Sequence, residues 1–196
     1  MSRGGITVSA EALTEAEQLL AHLPGGVEAA FSRAVNRGLA SGRTHAVRAV
    51  REDYFVKARD VRETIAIQRA TKANPGEGAL ITRGPPRGLH TYRVRPTRDT
   101  TGAARKRLKA AVKKGPLKPL GSSFNYRGNT WTRLGTRSLP LKRAVGPSIP
   151  QTMNNPLVAK SIEQHIGETT EKRLDHEVTF LLSPAGAASL RKKRGR

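Results

Sequence analysis

Apolar residues recur at helical spacing toward both ends of the chain and at alternate positions between them. In VSAEALTEAEQLLAHLPGG, Leu13, Ala16, Leu20 and Leu23 form one stripe, Ser9 can cap the start, acids fill the early turns and Pro24-Gly25-Gly26 ends the pattern. That predicts a first helix. A longer second helix is predicted from about Val27 to about Asp53, with Phe31, Val35, Leu39, Ala46 and Val50 on an apolar face and Arg33, Arg37, Arg48 and Arg51 elsewhere. Gly38 and Gly42 stand four apart in it. Each weakens a helix by about 1 kcal/mol relative to alanine, so a close approach of another backbone is the expected reason. A crossing inside the subunit is favoured over a subunit contact.

Toward the other end, LVAKSIEQHIGETTEKRLDHEVTFLL places Val158, Ile162, Ile166, Leu174, Val178 and Leu182 at multiples of four. This predicts a long C-terminal helix with a continuous seam for core or subunit packing, stopped by Pro184 and Gly186. Between the helices the period changes to two. VKARDVRETI reads as a short helical turn feeding a strand, and TIAIQRATK, ALITRG and LHTYRVRPT read as an antiparallel meander. NTWTRLG and SLPLKRAVG form a second strand pair, and GPSIPQTMNNP an extended connector. The class is therefore α+β: N-terminal helices and a long C-terminal helix flank a small, mostly antiparallel sheet. We read residues 1–183 as one domain with an extended basic loop or arm at about 97–128, and residues 184–196 as a flexible basic tail.

Charge changes this picture most. The 196 residues carry 36 Lys and Arg against 15 Asp and Glu, a formal net charge of +21. Ten acids lie in residues 11–99 and five in residues 163–177; from Thr100 to Ile162 there is none, against thirteen Lys and Arg. Within that span Arg105, Lys106, Arg107, Lys109, Lys113, Lys114 and Lys118 follow one another without a carboxylate. Crowded like charges at i,i+4 disfavour a helix there, so the segment is expected to order against a polyanion or an acidic neighbour. A merely solubilising excess is the plainer alternative. The core material is thin as well, with 36% hydrophobic and 4% aromatic residues, 12 prolines and 19 glycines, which suits a fold completed by partners.

Chemistry is hard to find. There is no cysteine, hence no disulfide and no thiolate metal site. The histidines at 22, 45, 90, 165 and 176 lack ligand spacing, and His165 and His176, three turns apart, cannot share a metal. Glu52-Asp53, Asp175 and Glu177 sit among arginines, as solvated ion pairs do. No nucleophile elbow or phosphate-binding glycine loop occurs. We expect no enzyme, no catalytic or cofactor-binding residue, no metal and no cofactor. No apolar run reaches the roughly 18 residues of a membrane span, and the first residues lack an apolar signal core, so no membrane partner and a cytoplasmic start are expected. For nucleic acid, no zinc-finger, RNA-recognition or basic-zipper pattern appears. A polycation of this kind would contact phosphate without reading sequence. Phe124, Tyr126 and Trp131 could stack on bases, but their alternate spacing favours a sheet core.

The assembled order resembles a known family. KARDVR after the second helix, and the block from Phe124 through GNTWTR to LPLKRAVGPSIP, are similar to the minor tail protein Z family of long-tailed bacteriophages and prophages, over roughly Val8 to Leu182. The resemblance implies a structural virion protein that completes the tail at its head-proximal end, or neck, and aids head–tail joining. It implies a self-assembled ring, six- or twelve-fold, around the DNA passage, beside neighbouring neck, tail-terminator or tail-tube proteins and in reach of genomic DNA through non-specific phosphate contacts, assembled in the bacterial host cytoplasm. It brings no catalytic residues. The alternative from another class is a non-sequence-specific nucleic-acid-binding protein of histone-like or ribosome-like kind, which would bind DNA as a monomer with steep salt dependence.

Overall fold

The computed structural model describes residues 26–100 and 108–183. The first helix expected from Ser9 to Leu23, the basic residues Arg105, Lys106 and Arg107, and the tail 184–196 lie outside the described residues. The described elements run in the order α1 (Gly26–Asp53), α2 (Ala58–Thr64), β1 (Ile65–Gln68), β2 (Ala79–Thr82), a 3-10 turn (Leu89–Thr91), β3 (Arg93–Arg95), β4 (Lys109–Ala111), β5 (Lys118–Pro119), β6 (Ser123–Tyr126), β7 (Asn129–Arg133), β8 (Leu141–Arg143), α3 (Ile149–Met153) and α4 (Pro156–Leu182). This is the α+β arrangement, with a helix at the N-terminal side, small antiparallel sheets, and a long C-terminal helix. The described residues divide into two compact units: 26–46, 65–81 and 159–183 form the first, and 47–64, 82–100 and 108–158 the second.

In the first unit α1 meets α4. Ala30, Phe31, Ala34, Val35 and Leu39 of α1 pack with Leu174, Val178 and Leu181 of α4, and with Ala70 beyond β1. Four consecutive residues, Ala29 to Ser32, are buried, so the start of α1 is covered on most of its circumference. Asn36 ties the segment after β1 to the helix: its amide donates to the Ala70 carbonyl at 2.9 Å and its carbonyl accepts from the Ala70 amide at 3.0 Å. Gly38 and Gly42 lie where the helices come closest. A Cβ at Gly38 would fall 2.1 Å from Thr170 Oγ1 and 3.2 Å from the Ile166 carbonyl oxygen. One at Gly42 would fall 2.3 Å from Ile166 Cγ1. The glycine pair thus serves a crossing inside the subunit.

One turn further, the interface turns polar. The His45 and His165 rings stack at 4.3 Å, Ser41 Oγ shares a hydrogen bond of 2.8 Å with His165 Nε2, and His45 Nε2 shares one of 2.9 Å with Ser161 Oγ. His176, three turns along the same helix, was expected not to meet His165; the neighbour of His165 is His45, on the other helix.

The C-terminal seam needs one correction. Val158, Ile162, Ile166, Leu174 and Val178 are buried, but Leu182 is 47% exposed and Leu181 is 2% exposed in its place. Each four-residue step advances about 40° beyond a full turn, so a strict count of four drifts off the buried face and a step of three restores it. Thr170, which the apolar count skipped, is fully buried on the same seam.

The strands form three sheets, where one meander and one further pair were expected. β1 pairs with β2; β3, β4 and β5 form a second sheet in that order; β6, β7 and β8 form a third. β3 does not continue the β1–β2 sheet but pairs antiparallel with β4, Val94 opposite Ala110. The segment read as an extended basic arm, 97–128, therefore contains strand among its described residues: Leu108 and Ala110 are buried while Lys109 is exposed. That alternation is a strand period, and it joins Leu89, Tyr92 and Val94 in a compact apolar cluster. The connector GPSIPQTMNNP also holds a helix, α3. Ser148 and Gln151 close a reciprocal capping box over its first turn.

Candidate functional site

Charge is divided unevenly between the units. Among the described residues the first unit has 8 Lys and Arg against 7 Asp and Glu, whereas the second has 19 against 5, a difference of +1 against +14. Two of those five carboxylates are already engaged within the unit. Asp60 meets Arg87 at 3.2 Å, and Glu63 meets Arg59 at 2.7 Å, where its hydrogen bond holds the Arg59 pKa above its usual value. Among the described residues, the excess positive charge lies mostly in this strand unit.

The β3–β4–β5 sheet displays part of that charge. Arg95 stands directly opposite Lys109, and Arg93 lies two residues along the same face; all three are exposed. Like charges facing each other across a ladder disfavour the pairing, so the opposite face must hold it, through Val94, Leu108 and Ala110. Of the other basic residues singled out from the sequence, Lys113 lies over the Tyr54 ring at 5.7 Å, Lys114 donates its backbone amide to the Asp53 carbonyl at 2.7 Å, and Lys118 is exposed on β5. The structure brings Lys113 and Lys114 to the end of α1 and leaves Lys109 and Lys118 on the strands. Arg93 and Arg95 were missed, although their alternation with Tyr92 and Val94 in YRVR was the available clue.

The β6–β7–β8 sheet inverts the usual rule. Its covered face is polar: Thr130 donates to Asn125 Oδ1 at 2.9 Å, the Asn125 side-chain amide donates to the Pro96 carbonyl at 2.7 Å, and the Asn125 backbone amide donates to Thr100 Oγ1 at 2.9 Å. Asn125 and Thr130 are buried and satisfied. The aromatics occupy the other face, where the register sets Phe124 opposite Trp131 and Trp131 opposite Arg143. Tyr126 is 40% exposed, with the Arg127 guanidinium 5.3 Å from its ring, and Arg133 covers Phe124 at 4.8 Å. The expectation that these three rings form a sheet core is corrected here. A hydrogen-bonded Asn–Thr pair took the inside, and arginines stabilise the partly exposed rings by cation–π contact.

A smaller cleft of about 240 Å³ is lined by residues including Thr64, Arg87, His90, Thr91, Arg143 and Ile149. Partial desolvation of the exposed His90 ring, with help from the Arg143 charge, holds its pKa below the usual value. The Thr91 hydroxyl donates to the Gly88 carbonyl, at 2.8 Å. Among the described residues no three His, Cys, Asp or Glu side chains converge as a metal site would require, and no helix is long and apolar enough to cross a membrane. What this surface offers is cations, rings and a few exposed apolar side chains, the equipment of a contact surface.

Comparison with known families settles the class. The family model described as prophage minor tail protein Z matches residues 11–183. The chain belongs to that family. No curated protein and no solved structure matches it significantly. Membership in the minor tail protein Z family makes the chain a structural protein of the phage tail, and the match spans all of the described elements.

Proposed function

We propose that this minor tail protein completes the tail at its head-proximal end, where it forms part of a six- or twelve-fold ring around the DNA passage and aids head–tail joining. The observation that carries the reading is the placement of charge: in a phage-tail protein, one unit holds nearly all of the positive excess of the described residues. A surface of that sign calls for the genome's phosphates or an acidic neighbouring ring. Leu134, Leu139, Leu141 and Val145, exposed at and beside the β7–β8 turn, supply apolar area that an adjacent subunit, a tail-terminator or a tail-tube protein can cover. The virion is then the site of action and the host cytoplasm the place of assembly.

Density from a tagged copy in intact particles tests the position. It is expected at the head-proximal end of the tail, with native mass spectrometry of dissociated particles giving a six- or twelve-fold assembly. Density at the distal tip, or a chain that never enters particles, would overturn the proposal.

A further inference from the structure

The strand unit contains a second cleft, of about 330 Å³, whose lining includes Arg51, Lys57, Arg93 and Lys114 together with Tyr54, Phe55 and Tyr92. Four cations from three separate stretches of chain converge on it, and no carboxylate lines it. All four are exposed, and none makes an ion pair among the described residues. Glu52 and Asp53 follow Arg51 in sequence but do not line the cleft, and the two acids of α2, Asp60 and Glu63, are engaged with Arg87 and Arg59.

The walls are held in place. Phe55 donates its amide to the Val112 carbonyl and Lys114 to that of Asp53, so the segment leaving α1 is stitched to the one leaving β4. The Tyr92 hydroxyl donates to the Pro147 carbonyl, and the Tyr54 hydroxyl accepts from the Asn155 amide at 3.1 Å. Both tyrosines are therefore fixed by their far ends and present their rings as walls. The Arg93 guanidinium lies over Phe55, 5.1 Å from the ring centroid, which limits its freedom and keeps its outer N–H groups available.

Such an arrangement is unfavourable when empty, since four like charges share one concavity, and it is relieved by an oxyanion that accepts from several of them at once. The volume lies at the small end of the range for ligand clefts, about 300–1,000 Å³, enough for a phosphate with part of its sugar. We propose that this cleft is a phosphate-binding site that holds one phosphodiester of a nucleic-acid backbone without reading its sequence. The assignment deepens the function proposed above and rests on its DNA-facing alternative. The +14 excess of the unit favours a polyanion over a free ion, because the charge surrounding the cleft then finds neighbouring phosphates.

The test compares equal reductions of charge in the full-length protein. Lys57→Gln with Lys114→Gln empties the cleft of two cations, whereas Arg137→Gln with Lys142→Gln removes two exposed cations of the same unit outside it. Binding is read by fluorescence anisotropy with a short labelled DNA duplex across a salt series, after thermal melts establish that both variants are folded. The cleft pair is expected to weaken binding about tenfold and to make the salt slope shallower by about 0.9 for each phosphate that the protein no longer neutralises, with a far smaller change in the control pair. Equal weakening by the two pairs would overturn the site in favour of diffuse charge. Inorganic phosphate serves as the second probe: if it binds the wild type but not the cleft variant while duplex binding is the same in both, the site is one for a free anion and the backbone assignment fails. Particle incorporation of the wild type is scored separately. A chain absent from particles sinks the virion reading, and the cleft is judged on the binding comparison alone.

Discussion

Three glycine-to-alanine substitutions, made one at a time, probe the helix crossing of the first unit. Gly38 and Gly42 sit in α1 against α4, whereas Gly167, in α4, has nothing within 4 Å of the position its Cβ would take. Alanine at Gly167 adds no contact and gains helix propensity, about 0.8–1.0 kcal/mol. At Gly38 the same gain meets a steric cost. The new methyl would fall 2.1 Å from Thr170 Oγ1, more than an ångström inside normal contact, and 3.2 Å from a carbonyl oxygen that cannot rotate away. Overpacking of a close-packed core costs about 1–3 kcal/mol, and the Gly38 geometry belongs at the upper end of that range. The net loss is then about 1–2 kcal/mol, so Gly38→Ala and Gly167→Ala should differ by about 2–3 kcal/mol. For a chain of this size that is a melting-temperature gap of about 5–10 °C, measured by far-UV circular dichroism. Gly42→Ala should fall between them, because its 2.3 Å contact is with the Ile166 side chain rather than with backbone.

A double-mutant cycle then identifies the contact. In a Gly38→Ala background, Thr170→Ala removes the atom that the methyl strikes, and should recover part of the stability, with a coupling above about 0.5 kcal/mol. Recovery stays partial because the Ile166 carbonyl remains. If Gly38→Ala melted at or above Gly167→Ala, the helices would not cross closely and the reading of the glycine pair would be wrong.

Other expected outcomes follow from single features. Leu181→Ala should cost about 2–5 kcal/mol in urea denaturation and Leu182→Ala almost nothing, and the reverse order would put the helix phase wrong by one residue. Gly128, at φ 72° in the two-residue turn that leads from Tyr126 to Asn129, should lose about 1 kcal/mol on substitution by alanine, whose Cβ disfavours that region; urea denaturation of Gly128→Ala measures it. The depressed His90 pKa means that the unfolded chain binds the proton more readily. Its contribution is therefore present above the unfolded value near 6.5 and lost as pH falls through the folded one. Being exposed, it should give only a slight acid slope, which His90→Gln removes from the melting temperature measured across pH 5–7.

Much of the helical framework was legible because its information is local. The period of Phe31, Val35 and Leu39 is a property of one segment, and α1 begins and ends within a residue of the expected place. Even the tertiary meaning of Gly38 and Gly42 could be read, since two helix-weakening residues four apart are difficult to explain without a close neighbour. The strands were harder. YRVR and RLKAAV each alternate, but nothing local says that they pair with one another rather than with the strands preceding Pro85-Pro86. In the basic segment, charge masked the period: attention to crowded lysines concealed that Leu108 and Ala110 share a face. Ser148 and Gln151 were legible in principle as a capping box, and the prolines around them drew the reading to an extended connector. The cationic cleft was not legible at all. Its four cations come from the end of α1, the turn after it, β3 and the third residue after β4, and only folding brings the three stretches together.

That division has a physical logic which bears on how such a protein can carry +21 and still fold. Among the described residues the first unit is nearly balanced in charge, and two long helices in close contact hold it together, the kind of packing that repulsion would undermine. The second unit concentrates the excess on short strands joined by turns, and what its sheets bury is limited to a small apolar cluster and a hydrogen-bonded Asn–Thr pair. Repulsion there is directed outward, across exposed strand faces and a cleft open to solvent, where a counter-anion or an acidic neighbour can relieve it without rearranging a core. A protein whose charge was spread evenly over both units would face less repulsion in total, but no part of it would be left free of that repulsion. Segregation keeps the helix packing of the first unit clear of most of that repulsion and places it where, on the function proposed above, a partner would relieve it.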